Sequence, residues 1–158
     1  MKNSLSRTIA CVLLSLLLPA GLLAWPGKVI GISDGDSITV LKGNRRVQIR
    51  LYGIDCPEAG QAFGKKARQF TSAMAYGNNV EVDPVDTDVH GRTVAWVYVD
   101  GKSLNEALVK AGLAWHYKRH SSHACLAELE RRARDKKQGL WSDPHAMAPW
   151  NYRRLKKK

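Results

Sequence analysis

The sequence predicts an α+β fold with a mainly β core, a five-stranded barrel of the OB type carrying three helices. Three observations predict it. Five short runs rich in β-branched residues are separated by turn signals, a helical stripe interrupts them between the third and the fourth, and two further helical segments follow the fifth.

The first run, Val29 to Ile32, is apolar and ends in the turn cluster Ser33-Asp34-Gly35-Asp36. Ser37 to Leu41 forms the second, and Lys42-Gly43-Asn44 is a hairpin connection. Arg46 to Tyr52 alternates strictly. Val47, Ile49 and Leu51 point one way, and Gln48, Arg50 and Tyr52 the other, so Arg50 is free to face a ligand or solvent. Phe63, Ala67, Phe70 and Met74 then fall on one helical face, and Gly77 stops that helix. Asn79 to Val85 and Thr93 to Val99 are the last two strands. Ser103-Leu104-Asn105-Glu106 is a capping box opening a helix that Gly112 ends. The third helix is expected from about Ser122 to Gln138, with Cys125, Leu126, Leu129 and Ala133 inward and Gly139 as a left-handed cap.

Residues 1–24 read as a secretory signal peptide. Lys2 and Arg7 precede an apolar run from Ile9 to Leu18, and small residues precede Trp25. That core is too short for a membrane span, so the expectation is a secreted or periplasmic protein with no membrane attachment after cleavage. Residues 25–146 form the folded domain, and 147–158 a basic C-terminal tail, whose end from Arg153 to Lys158 is expected to be disordered. Across its 158 residues the chain carries 25 Lys and Arg against 14 Asp and Glu, a net charge of +11. A small domain this basic suits a polyanion, because neutralised phosphates release counterions. Charge alone fits an anionic membrane or a solvated surface equally well. Beyond the leader the cysteines are Cys56 and Cys125, with no Cys/His zinc spacing. In an oxidising compartment the disulfide is slightly preferred to two free thiols.

Asp36 lies at a strand start, and Asp55 and Glu58 follow a strand end. Oxygen ligands of this kind suit a hard cation such as calcium. Taken singly, each acid is more often a turn or capping residue. Phosphodiester hydrolysis gives a reason for acids and arginines to meet. Arginine forks pair with the phosphate oxygens that gain charge, a divalent ion orients a water, and a carboxylate takes its proton. Arg50, Arg92 and Glu58 fill those roles. The bland role for Arg92 is an ion pair with Asp86 or Asp88. His116, His120 and His123 suggest a metal cluster by number alone. A solvated or phosphate-facing loop is the better reading of them. Trp96, Trp115, Trp141 and Trp150 read as packing residues.

Five segments together carry a resemblance: Asp34-Gly35-Asp36-Ser37-Ile38, Arg50 through Glu58, Asp88-Val89-His90-Gly91-Arg92, Asn105 through Ala114, and Ala127 through Trp141. Over roughly Lys28 to Trp141 the chain resembles the staphylococcal (micrococcal) nuclease-like family in order and spacing. The resemblance implies calcium at Asp36, Asp55 and the backbone carbonyl of Cys56, with Arg50 and Arg92 as phosphate partners and Glu58 as general base. It also implies a monomeric endonuclease that cuts DNA and RNA with little sequence preference and leaves 3′-phosphate ends. Cys56 stands where Thr or Ala is common, and Val89 and His90 depart from the best-known member, so substrate contacts in that loop do not carry over. Tyr117 is a looser match as a substrate-binding aromatic. The alternative is a non-catalytic nucleic-acid-binding barrel, which needs a basic groove but not the full acid–arginine set. A structural envelope protein would leave the acids idle.

Overall fold

The computed structural model describes residues 23–157. The leader read over residues 1–24 therefore lies, except for Leu23 and Ala24, outside the described residues.

The chain opens with β1 (Trp25–Asp34), β2 (Ser37–Lys42) and β3 (Arg45–Leu51), continues with the short β4 (Ile54–Asp55), and then forms α1 (Gly64–Ala75). β5 (Asn79–Thr87) and β6 (Thr93–Val99) follow, then β7 (Lys102–Ser103), α2 (Leu104–Lys110), β8 (Trp115–His116), α3 (Ala124–Asp135) and α4 (Pro149–Lys156). β1 to β3 form an antiparallel meander, β5 pairs with the start of β1, and β6 pairs with β5. A parallel pairing of β3 with β6, from Ile49↔Thr93 to Leu51↔Ala95, closes the barrel. Five strands closed in this way form an OB-type barrel, which removes the long unpaired edges of an open sheet.

The interior follows from the period-2 pattern. Val29, Ile38, Val40, Ile49, Leu51, Val82 and Val97 are almost fully buried, each contributing roughly 2 kcal/mol by removal from water. Leu104 and Leu108 of α2 and Leu126 of α3 cover one end. Asn105 is buried among them. Its Oδ1 accepts from Val97 N–H at 3.1 Å, and its Nδ2 donates to the carbonyls of Tyr52 at 2.9 Å and Ala95 at 3.2 Å. One amide thus ties α2 to the strand ends where the barrel closes. The expected cap at Ser103 is present, with its side chain accepting from Glu106 N–H at 3.2 Å.

Three expectations change. α3 ends at Asp135, short of Gln138, because Lys137 takes the left-handed conformation at φ 52°. Gln138 N–H then bonds Ala133 O and Lys137 N–H bonds Arg134 O, both at 2.9 Å, a Schellman closure centred two residues before Gly139. The basic tail read over residues 147–158 holds α4, which reaches into the end expected to be disordered from Arg153, so the described residues hold four α-helices instead of three. Pro149 opens it at a position that loses no intrahelical bond, and Trp150, Tyr152 and Arg153 dock it on the domain. Cys56 and Cys125 are not joined: both are free thiols. Cys56 is buried under the β1–β2 turn near Gly35, while Cys125 is exposed on α3 beside Glu106, and the two side chains belong to different packing layers.

Among the described residues no helix is long and apolar enough to cross a membrane.

Candidate active site

The β1–β2 turn carries Asp36 into the protein and not out to water. Asp34 Oδ1 accepts from Asp36 N–H at 3.2 Å, and Thr71 Oγ1 of α1 donates to Gly35 O at 2.6 Å, which pins the turn to the helix. Gly35 permits this close approach. A Cβ there would lie 2.8 Å from both Cys56 Sγ and Ala67 Cβ. Asp36 is 1% exposed and Asp55 is fully buried.

Two buried carboxylates demand partners. Asp36 Oδ2 accepts from Cys56 N–H at 2.6 Å, and its Oδ1 accepts from Ser37 Oγ at 3.3 Å and from the Arg50 guanidinium. Arg50 Nη2 pairs with Asp55 Oδ1 at 2.6 Å, so Arg50 bridges both aspartates from the row of β3 that faces away from the core. Burial pushes the Asp36 carboxyl up to about 8, and nearby Asp34 and Asp55 push it the same way against the pull of Arg50. Arg50 is held protonated, because the two aspartates more than offset its own burial.

Glu58 sits past the Pro57 turn, 37% exposed, and its backbone N–H donates to Gln61 Oε1 at 3.2 Å. α1 packs directly against it: a Cβ on Gly64 would stand 1.9 Å from the Glu58 carbonyl oxygen. Arg92 pairs with Asp88 through Nε at 2.7 Å, the partner expected for its structural role. Its Nη1 also reaches Ser37 Oγ at 3.4 Å, and Ser37 in turn contacts Asp36. The structure therefore brings Asp36, Arg50, Asp55 and Glu58 together and sets Arg92 at their edge. Cys56 enters through its backbone amide, and burial pushes its thiol well above the usual range. Tyr117 lies alongside, its N–H bonded to Gly53 O at 2.8 Å near the strand end that carries Asp55.

A residue missed in the sequence completes the cluster. Arg153 of α4 donates Nη2 to Asp55 Oδ2 at 2.8 Å, and Nη1 to Asp55 Oδ1 at 3.2 Å and Glu58 Oε1 at 2.7 Å. The available signal was Pro149 as a helix opener with Trp150 and Arg153 three residues apart on one face. The histidines do not gather. His116 is buried in β8, His120 lies 4.6 Å from the Tyr117 ring, and His123 lies 4.9 Å from Trp96. The burial of His116 corrects the reading of all three as a solvated or phosphate-facing loop.

The donor set suits a hard cation in chemistry: Asp36 and Asp55 present carboxylate oxygens, with the buried Cys56 thiol close by the same turn. Among the described residues no group of three His, Cys, Asp or Glu side chains is gathered to hold a metal. In the described arrangement the free valence of Asp55 is taken by Arg153, so a cation would fit there with that arginine displaced.

A closed OB-type barrel with buried aspartates, arginines and a glutamate at its rim defines a class of protein able to act on phosphate esters. The particular family follows from comparison with known proteins: residues 48–143 match the staphylococcal nuclease homologue family, and the chain belongs to it. It is 36% identical to a micrococcal nuclease of Shigella flexneri, over 99% of this chain and 98% of that protein. It is also 44% identical to protein ParB of Escherichia coli, over 81% and 78%, and 39% identical to an uncharacterized endonuclease of Haemophilus influenzae, over 82% and 74%.

Proposed function

We propose that this chain is a calcium-dependent endonuclease that hydrolyses phosphodiester bonds of DNA and RNA with little sequence preference and leaves 3′-phosphate ends. It acts as a monomer outside the cytoplasm, secreted or periplasmic. The observation that carries the reading is the network at one rim of the barrel that runs from Arg92 through Ser37, Asp36 and Arg50 to Asp55, with Arg153 linking Asp55 to Glu58. A barrel that only bound nucleic acid would have no need to bury two aspartates beside an arginine and a glutamate.

Asp36, Asp55 and the Cys56 carbonyl would hold the calcium. When bound, the ion would polarise the phosphate and orient a water. Arg50, fixed by both aspartates and 19% exposed, offers its remaining N–H groups to a non-bridging phosphate oxygen. Arg92, clamped by Asp88, stabilises the charge that grows on the same group. Glu58 accepts the proton of the attacking water as that oxygen bonds to phosphorus, the P–O5′ bond breaks, and the 5′ oxygen leaves as a hydroxyl after taking a proton from solvent. Little in this set reads a base, which agrees with weak sequence preference.

Incubating purified protein with linear DNA and with RNA tests the reading. Both should be degraded to 3′-phosphate products with calcium present, and degradation should stop on adding a calcium chelator. Full activity in excess chelator would overturn the calcium role, and binding without cleavage would favour the non-catalytic barrel.

A further inference from the structure

α4 lies beyond the residues that match the family, yet two of its side chains stand inside the site. Arg153 covers both oxygens of Asp55 and one of Glu58. Trp150 lies flat on Tyr117, with ring centroids 5.2 Å apart and an interplanar angle of 13°. The positive charge sits where the proposed reading places the cation and the attacking water. The indole covers the aromatic face that a base would otherwise reach.

α4 is held chiefly by side chains at its surface. Of its eight residues only Pro149 is buried, while Trp150 packs on Trp115 and Tyr117, Tyr152 donates its hydroxyl to Gly60 O at 2.9 Å, and Arg153 pairs with Asp55 and Glu58. A helix this short is marginal in water by itself, so it persists only while docked. Arg153 is 39% exposed and Glu58 37%, so that pair is open to salt and other ions, while the bond to the buried Asp55 is the one a cation would have to replace. Arg153, Arg154 and Lys156, with Lys157 just beyond, make α4 and its end strongly basic. An approaching polyanion attracts those groups away from the carboxylates they cover.

We propose that α4 is an internal occupant of the site: Arg153 competes with the divalent cation for Asp55 and Glu58, Trp150 competes with a base for Tyr117, and a polynucleotide together with the cation displaces the helix. The inference rests on the calcium-dependent nuclease reading. It makes catalysis conditional on substrate, since Arg153 occupies both oxygens of Asp55 and one of Glu58 until the helix leaves.

Calorimetric titration of calcium chloride into purified wild-type protein, Arg153→Ala and Trp150→Ala, each checked for folding by circular dichroism, tests it. Both variants should bind calcium at least about tenfold more tightly than wild type, the factor expected if the undocked form is about one part in ten. In wild type, backbone amides of residues 149–156 should exchange faster once calcium and a non-cleavable oligonucleotide are bound. Equal or weaker calcium affinity in both variants would overturn the competition while leaving the calcium reading intact. If neither wild type nor the variants bind calcium, both fall together.

Discussion

At the rim of the barrel Arg50 lies between two buried aspartates, and its position is a consequence of their burial as much as of its own strand. An aspartate with 1% exposure needs close positive charge to ionise, and Arg50 is the cation in contact with it, offsetting part of the cost of burial. The side chain is thereby fixed in one orientation, as a phosphate-binding fork must be. Glu58 is different: it is partly exposed and held only from α4, which leaves it free to exchange partners. Glu58→Gln keeps size and hydrogen bonding but removes proton acceptance. Its rate on DNA at saturating calcium should fall by at least about 100-fold with an unchanged circular dichroism spectrum. A variant of near-normal rate would remove Glu58 from the role of base.

At the scale of elements, α1 acts as the ruler of the site. Thr71 holds the Asp36 turn, Ala67 meets the surface that Gly35 leaves open, and Gly64 lets the helix start against the Glu58 carbonyl. Gly64→Ala would push a methyl group to 1.9 Å from that oxygen, so the Glu58 turn must move. The expected result is a loss of kcat/KM on the order of 100-fold, the scale of an ångström's misplacement, with an overpacking cost of roughly 1–3 kcal/mol in thermal melts. Normal kcat/KM in this variant would show that the turn tolerates the shift.

For the whole molecule, acid stability depends on one group outside the proposed reaction, His116, and on one within it, Asp36. Burial in β8 holds the His116 imidazole below its ordinary value, with Lys118 and His123 acting the same way and Glu130 against them, and its Nδ1 has no partner. The unfolded chain then binds more protons than the folded one as pH drops below about 6.5, so stability falls on acidification. Asp36 works in the opposite sense. Its folded value lies above the unfolded one, so the cost of its buried charge is relieved as pH falls from about 8. The measurable quantity is therefore a difference. The melting temperature of wild type should drop more between pH 7 and pH 5 than that of His116→Gln, and parallel curves would rule out this titration.

The barrel was legible in the sequence because its determinants are local. Alternation from Arg46 to Tyr52, the Asp34-Gly35-Asp36 turn and the Ser103 cap each act within a few residues, and they specify strands, turns and helix starts directly. The five charged positions were singled out through the family resemblance, since each acid taken alone reads as an ordinary turn residue, and the structure brings four of them together with Arg92 at their edge. What only the tertiary structure decided are the long-range pairings. Asn105 closes the barrel through groups up to 53 positions away, and Arg153 reaches Asp55 across 98. Cys56 and Cys125 stay apart because one is enclosed beneath the Asp36 turn while the other faces solvent. No local signal encodes such contacts, because they depend on which surfaces meet after the core has formed.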